Sequence, residues 1–156
     1  MLSSATLLKK RKLKRLKPHK YVIIFIDNIY RSWYIKAMIK TSKTLDKKLP
    51  VYISGPITSL VKLGEDWRLP FHEAEGALRR LGFREIHNPV DIAVGVDAVC
   101  EALGRKATYA DYMKADLEML LKCKTILLLK GWEGSRGAQL EYQVASALNL
   151  EIIYER

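Results

Sequence analysis

The sequence is poor in cysteine, has no long apolar run, and carries few acids in its first third. Cys100 and Cys123 are the only cysteines among 156 residues and form no CxxC pair. That excludes a disulfide framework and makes a reducing, cytoplasmic compartment the expectation. The longest strongly apolar stretch is the six residues Tyr21–Ile26, closed by Asp27. A membrane helix needs roughly 20 such residues, so no membrane span is expected. No small-residue cleavage site follows the stretch, so it does not read as a secretory signal either. Among residues 1–50 the only acids are Asp27 and Asp46, against 14 Lys and Arg, whereas the rest of the chain holds 13 basic and 15 acidic residues. The net charge of +10 therefore belongs to the N-terminal segment. The downstream part has no basic excess to neutralise phosphates, so nucleic acid is an expected partner only through the basic tail.

Several chemical signatures are missing as well. There is no Walker loop and no GxGxxG motif, and neither Ser54 nor Ser135 sits in a GxSxG elbow. His72 and His87 lack metal-ligand spacing with Cys or acids. No metal and no cofactor are expected.

What is present divides near Pro50. Residues 1–49 form a basic extension, read as disordered or irregular, and residues 50–156 form the domain. The block MLSSATLLKKRKLKRLKPHK reads in two ways. One is an RNA, membrane-surface or targeting arm; the other is a disordered tail or upstream extension with Met38 as a start. The second is favoured.

From residue 51 the pattern is orderly. VYIS (51–54) is a buried-type strand ending in the turn Gly55-Pro56. Phe71, Ala74, Leu78 and Leu81 recur at helical steps and predict a helix from Trp67 to Leu81, ended by Gly82. FREIH (83–87) is a second strand closed by Asn88-Pro89, and residues 90–107 are expected to be irregular or weakly helical. Thr108 with Asp111 predicts the start of a helix running to about Lys122. TILLLK (125–130), the glycine-rich GWEGSRG (131–137), a helix over 138–148 and the strand EIIYE (151–155) complete the chain.

Strands alternating with helices predict an α/β fold: a three-layer, Rossmann- or flavodoxin-like parallel sheet of four to five strands with helices on both faces. Four strands are visible, so either a tail segment supplies a fifth or the sheet is small. Ligands in such sheets sit at the carboxyl ends of the strands, here Ser54–Thr58, His87–Asp91 and Lys130–Gly137.

Two acids fall on apolar stripes. Asp116 lies with Met113, Leu117 and Leu120; Glu141 lies with Ala138, Val144, Ala145 and Leu148. An acid there is costly unless it is paired, hydrogen-bonded or facing a cleft. Two of them at one sheet edge suggest a site. The loop before Glu141 has Gly131, Gly134 and Gly137 opening a helix, with Ser135 and Arg136 as polar groups. It is equally a phosphate cradle or a flexible turn. Trp132 is a candidate to cover a base, Trp67 reads as packing, and Tyr52 is a core residue by default.

The segments VYISGPIT, DYMKADLEMLLKC and ILLLKGWEGSRGAQLEYQVASALNLEIIY resemble the nucleoside 2-deoxyribosyltransferase-like superfamily over residues 50–155. The likeness is closest to its small bacterial and phage branch, related to the deoxynucleoside-monophosphate N-glycosidases. It implies N-glycosyl transfer or hydrolysis on a nucleoside or deoxynucleoside, or its 5′-monophosphate. In that scheme Glu141 is the nucleophile, Asp116 assists the leaving base and Tyr52 completes the catalytic set. The implied substrate- and phosphate-binding residues are Gly55, Pro56, Ser135, Arg136, Gly137 and Trp132. A homodimer or larger homo-oligomer is implied too. The chain departs from relatives at Lys124, where an aspartate is frequent, and in the loop GPITSLVKLGEDW, which lacks their arginine and glycine pattern. A nucleotide-binding or sensing module without turnover is the alternative.

Overall fold

A computed structural model describes residues 45–155. The basic extension up to residue 44, and with it any strand the tail would add, lies outside the described residues. The described strands are β1 (Val51–Ser54), β2 (Ile86–His87), β3 (Thr125–Leu128) and β4 (Glu151–Tyr154). They form one all-parallel sheet in the order β2-β1-β3-β4. The helices are α1 (Ile57–Lys62), α2 (Arg68–Leu81), α3 (Pro89–Ala102), α4 (Tyr109–Lys122) and α5 (Arg136–Ala147). This is the expected α/β arrangement, at the smaller of the two strand counts.

Alternation along β1 sorts the two faces. Val51 and Ile53 pack with Phe71, Ala74 and Leu78 of α2, together with Val90, Leu127 and Ile153. Tyr52 joins Leu120, Cys123, Ile126, Leu128 and Ala145 on the other face. β1 and β3 are buried throughout, as central strands of a parallel sheet must be. Ser54, two residues after Tyr52, shares its face at the carboxyl end of β1.

Two expectations change. The second strand pairs only through Ile86 and His87, because the exposed Arg84 and Glu85 keep the sheet edge polar and short. Of residues 90–107, expected to be irregular or weakly helical, most belong to the regular 14-residue helix α3. Asn88, expected merely to end a strand, caps this helix: its side-chain oxygen accepts from the Val90 amide at 3.0 Å, and Pro89 supplies a preset first turn. Apolar residues surround α3 instead of forming a stripe, so periodicity did not announce it; Val94 and Val99 are exposed. The first loop also contains the short helix α1, which the sequence pattern did not indicate.

Other boundaries agree closely. Gly82 ends α2 in the left-handed conformation (φ 96°). Thr108 and Asp111 form a reciprocal capping box at the start of α4, with Arg105 holding both Asp111 oxygens at 2.7 and 2.9 Å. Among the described residues, no helix is long and apolar enough to cross a membrane.

Candidate active site

The site begins with a strand-parity effect. Tyr52 and Ser54 both point from β1 toward α5, where Glu141 faces inward. The Tyr52 hydroxyl donates to Glu141 Oε1 at 2.8 Å, and Ser54 Oγ donates to Oε2 at 2.5 Å. Both carboxylate oxygens are therefore fixed, and the side chain is 95 % removed from solvent, with 5 % exposure. Asp116, 8 % exposed on α4, lies close enough to interact with both Tyr52 and Glu141.

Burial dominates the electrostatics. It pushes Glu141 up to about 7; the Asp116 charge adds to this, while the Ser54 and Tyr52 hydrogen bonds oppose it. Burial likewise pushes Asp116 up to about 6, against a favourable interaction with Tyr52. The Tyr52 phenol is raised well above its ordinary range, first by burial and then by the two carboxylates, so it remains a proton donor. Glu141 and Asp116 thus form a proton-sharing pair near neutrality, with Tyr52 beside them as a donor that keeps its proton.

Glu141 and Asp116 open into a cavity of about 470 Å³, a size that suits a small organic ligand. Gly55, Ser135 and Gly137 also line it. Gly55 has no room for a side chain: an added Cβ would stand 3.0 Å from both Leu129 Cβ and Phe71 Cζ. Ser135 caps α5, its hydroxyl accepting from the Ala138 amide at 3.4 Å, while remaining part of the cavity wall. This makes the glycine-rich segment an ordered entry to a helix: Gly131 is left-handed (φ 83°), and a 3₁₀ turn over Trp132–Gly134 follows.

Three expected ligand-binding residues do not line this cavity. Trp132 packs on Tyr142 and Tyr154, with ring centroids 4.7 and 6.3 Å away, because the turn after Gly131 sends it into the β3–β4 side of the core. Arg136 begins α5 on its outer face, in a depression shared with Lys114, Gln139 and Gln143. Pro56 is buried at the start of α1 against Gly131.

Other residues of the site carry little signal in the sequence. Ser54 reads only as a strand end, although its separation of two from Tyr52 puts both hydroxyls on one face. Trp67, assigned to packing, lines the cavity while meeting Phe71 edge-on at 5.9 Å. Arg68, whose guanidinium lies over the Trp67 ring at 4.8 Å, is the one cationic side chain in the cavity lining among the described residues. Asp97 of α3 accepts from the Tyr112 hydroxyl of α4 at 2.5 Å, and both line the cavity. Asp97 carries no signal in the sequence because its segment reads only as irregular or weakly helical, with no face to place it on.

No cluster of three or more His, Cys, Asp or Glu residues that could hold a metal ion occurs among the described residues. Neither a curated protein nor a solved structure matches the chain. A family model does match, over residues 49–154, which is most of the chain and nearly all of the described fold. The chain belongs to the family described as Domain of unknown function (DUF4406).

Proposed function

We propose that this domain carries out N-glycosyl transfer or hydrolysis on a nucleoside or nucleoside 5′-monophosphate, with Glu141 as nucleophile. The observation that carries the proposal is the double anchoring of Glu141 by Tyr52 and Ser54 beside Asp116, at the wall of a ligand-sized cavity. The likeness to the nucleoside 2-deoxyribosyltransferase-like superfamily supports it.

In this mechanism a Glu141 oxygen bonds to C1′ as the C1′–N bond breaks, and the base leaves with the bonding electron pair and a proton from Asp116. Water or a second base then attacks C1′, releases the Glu141 carboxylate and returns a proton to Asp116. Tyr52 and Ser54 hold the carboxylate so that its orientation needs no adjustment as charge develops on the sugar. A 5′-phosphate, when present, meets the Ser135 hydroxyl, the start of α5 and the Arg68 guanidinium, which supply remote binding energy.

One observation favours binding without turnover: burial leaves Glu141 half-protonated near neutral pH, which weakens it as a nucleophile in the empty site. Glu141→Gln separates the two. An enzyme loses its chemical step while keeping nucleoside affinity; a binding module keeps its affinity and has no step to lose.

Self-association in a reducing compartment belongs to the same proposal. Val94, Val99 and Leu103 are 65, 61 and 67 % exposed along and just beyond α3, and both cysteines are buried free thiols. Light scattering of the full chain tests the assembly, and Val99→Lys is expected to shift it toward monomer.

A further inference from the structure

Tyr112 precedes Asp116 by four residues on α4, so the two side chains stand one above the other on one helix face, about 5–6 Å apart at Cβ. Asp97 reaches the same wall from α3 and accepts the Tyr112 hydroxyl through Oδ1 at 2.5 Å. That bond commits the Tyr112 proton, and it holds the phenol above its ordinary range. Among the described residues no donor meets Asp97 Oδ2. Three cations among the described residues line the hollows that Asp97 borders, Arg68 on one side and Arg105 and Lys106 on the other, and none of them bonds Asp97: Arg68 lies over Trp67 and 3.9 Å from Asp66, and Arg105 holds both Asp111 oxygens. The Asp97–Tyr112 pair itself therefore offers only acceptors, namely Asp97 Oδ2 and the lone pairs of the Tyr112 oxygen.

We propose that the Asp97–Tyr112 pair reads the far edge of the nucleobase and selects bases that present N–H donors there, above all an amino group. The proposal rests on the nucleoside reading of this cavity. A base whose glycosidic nitrogen is served by Asp116 extends across about one helical turn, roughly 5 Å, which brings its opposite edge to Tyr112 and Asp97. An amino group finds a charged acceptor at that edge, whereas a carbonyl oxygen there meets a carboxylate that repels it. Guanine is thus preferred over hypoxanthine, and cytosine over uracil. Guanine differs from hypoxanthine by the added 2-amino group, and cytosine from uracil by an amino group in place of a carbonyl, with N3 losing its proton. Because Asp97 stands exposed at the cavity mouth, water competes, and the discrimination expected is about tenfold or more.

The test is calorimetric binding to the full-length Glu141→Gln chain, which cannot turn substrate over under the proposed mechanism. The probes are deoxyguanosine against deoxyinosine and deoxycytidine against deoxyuridine. The expected result is tighter binding of the amino-bearing member of each pair. Asp97→Asn, which places an amide donor at the same edge, is expected to abolish or reverse the preference. Tyr112→Phe, which leaves Asp97 without its anchor, is expected to weaken it. Circular dichroism checks the fold of each variant. Binding without discrimination, or discrimination that survives Asp97→Asn, overturns the inference and leaves the nucleoside reading standing. Failure of all four nucleosides and their 5′-monophosphates to bind overturns that reading, and this inference with it.

Discussion

Glu141 accepts a 2.8 Å hydrogen bond from the hydroxyl of Tyr52, a residue 89 positions earlier in the chain. The bond joins the first strand to the last helix and turns two ordinary core positions into part of one chemical group. Ser54 repeats it on the other carboxylate oxygen. A carboxylate held from both sides keeps one orientation, which is what attack at a sugar carbon requires.

Removing either anchor tests this directly. Tyr52→Phe and Ser54→Ala each free one Glu141 oxygen. Each is expected to lower kcat for base release by about tenfold or more, with a smaller change in KM, since a hydrogen bond to a charged group contributes about 1.5–3 kcal/mol. Steady-state kinetics check it; a loss confined to KM contradicts a role in orienting the nucleophile.

The proton-sharing pair sets the pH profile. Productive chemistry needs Glu141 ionised and Asp116 protonated, a state in which the pair holds one proton. With Asp116 at about 6 and Glu141 at about 7, the one-proton state is most populated between those values, and the productive form is its minor tautomer, since the proton rests mainly on Glu141. A bell-shaped kcat/KM profile with its maximum between about pH 6 and 7 is expected. Asp116→Asn removes the shared proton, so its residual activity rises with Glu141 ionisation and loses the alkaline limb.

Stability follows the same groups with a definite sign. Glu141 is raised from 4.5 to about 7 on folding, so the folded state holds its proton more tightly than the unfolded state. Its contribution is fully present below about pH 4.5 and is lost as pH rises through about 7. Glu141→Gln removes that loss, so the variant gains on the wild type by up to about 2.5 kcal/mol more at pH 8 than at pH 5. Urea unfolding at the two pH values measures it. An equal difference at both contradicts the buried, proton-holding Glu141.

Two structural positions give predictions independent of catalysis. Asn88 is 1 % exposed, caps α3 and donates to Glu75 Oε2 at 2.9 Å. Asn88→Ala is expected to cost about 1–2 kcal/mol through the lost cap alone. Gly55→Ala forces a Cβ against Leu129 and Phe71 and is expected to cost about 1–3 kcal/mol by overpacking. Thermal unfolding of both variants checks these values, and an unchanged Tm for Gly55→Ala contradicts the close approach at the end of β1.

Much of the architecture was legible because the signals were local. Continuous apolar runs marked β1 and β3, the Thr108–Asp111 spacing marked the start of α4, and Gly82 marked the end of α2. Helix α3 was hidden because its apolar residues encircle it, and its start signal, Asn88-Pro89, equally reads as a turn. Glu141 and Asp116 were legible as acids on apolar stripes, which depends only on helical periodicity. Ser54, Arg68, Asp97 and Tyr112 were not, since their meaning lies in which elements converge on the cavity. Trp132 and Arg136 share a loop with Ser135 but face elsewhere, because the 3₁₀ turn and the first turn of α5 fan successive side chains in different directions.

The most direct measurement is base release: incubation of the full chain with each deoxynucleoside and deoxynucleoside 5′-monophosphate, with and without an acceptor base, following free base by chromatography. The predicted result is release from at least one substrate that vanishes in Glu141→Ala. Release that persists in Glu141→Ala, or none from any substrate under either condition, contradicts glycosyl chemistry at Glu141.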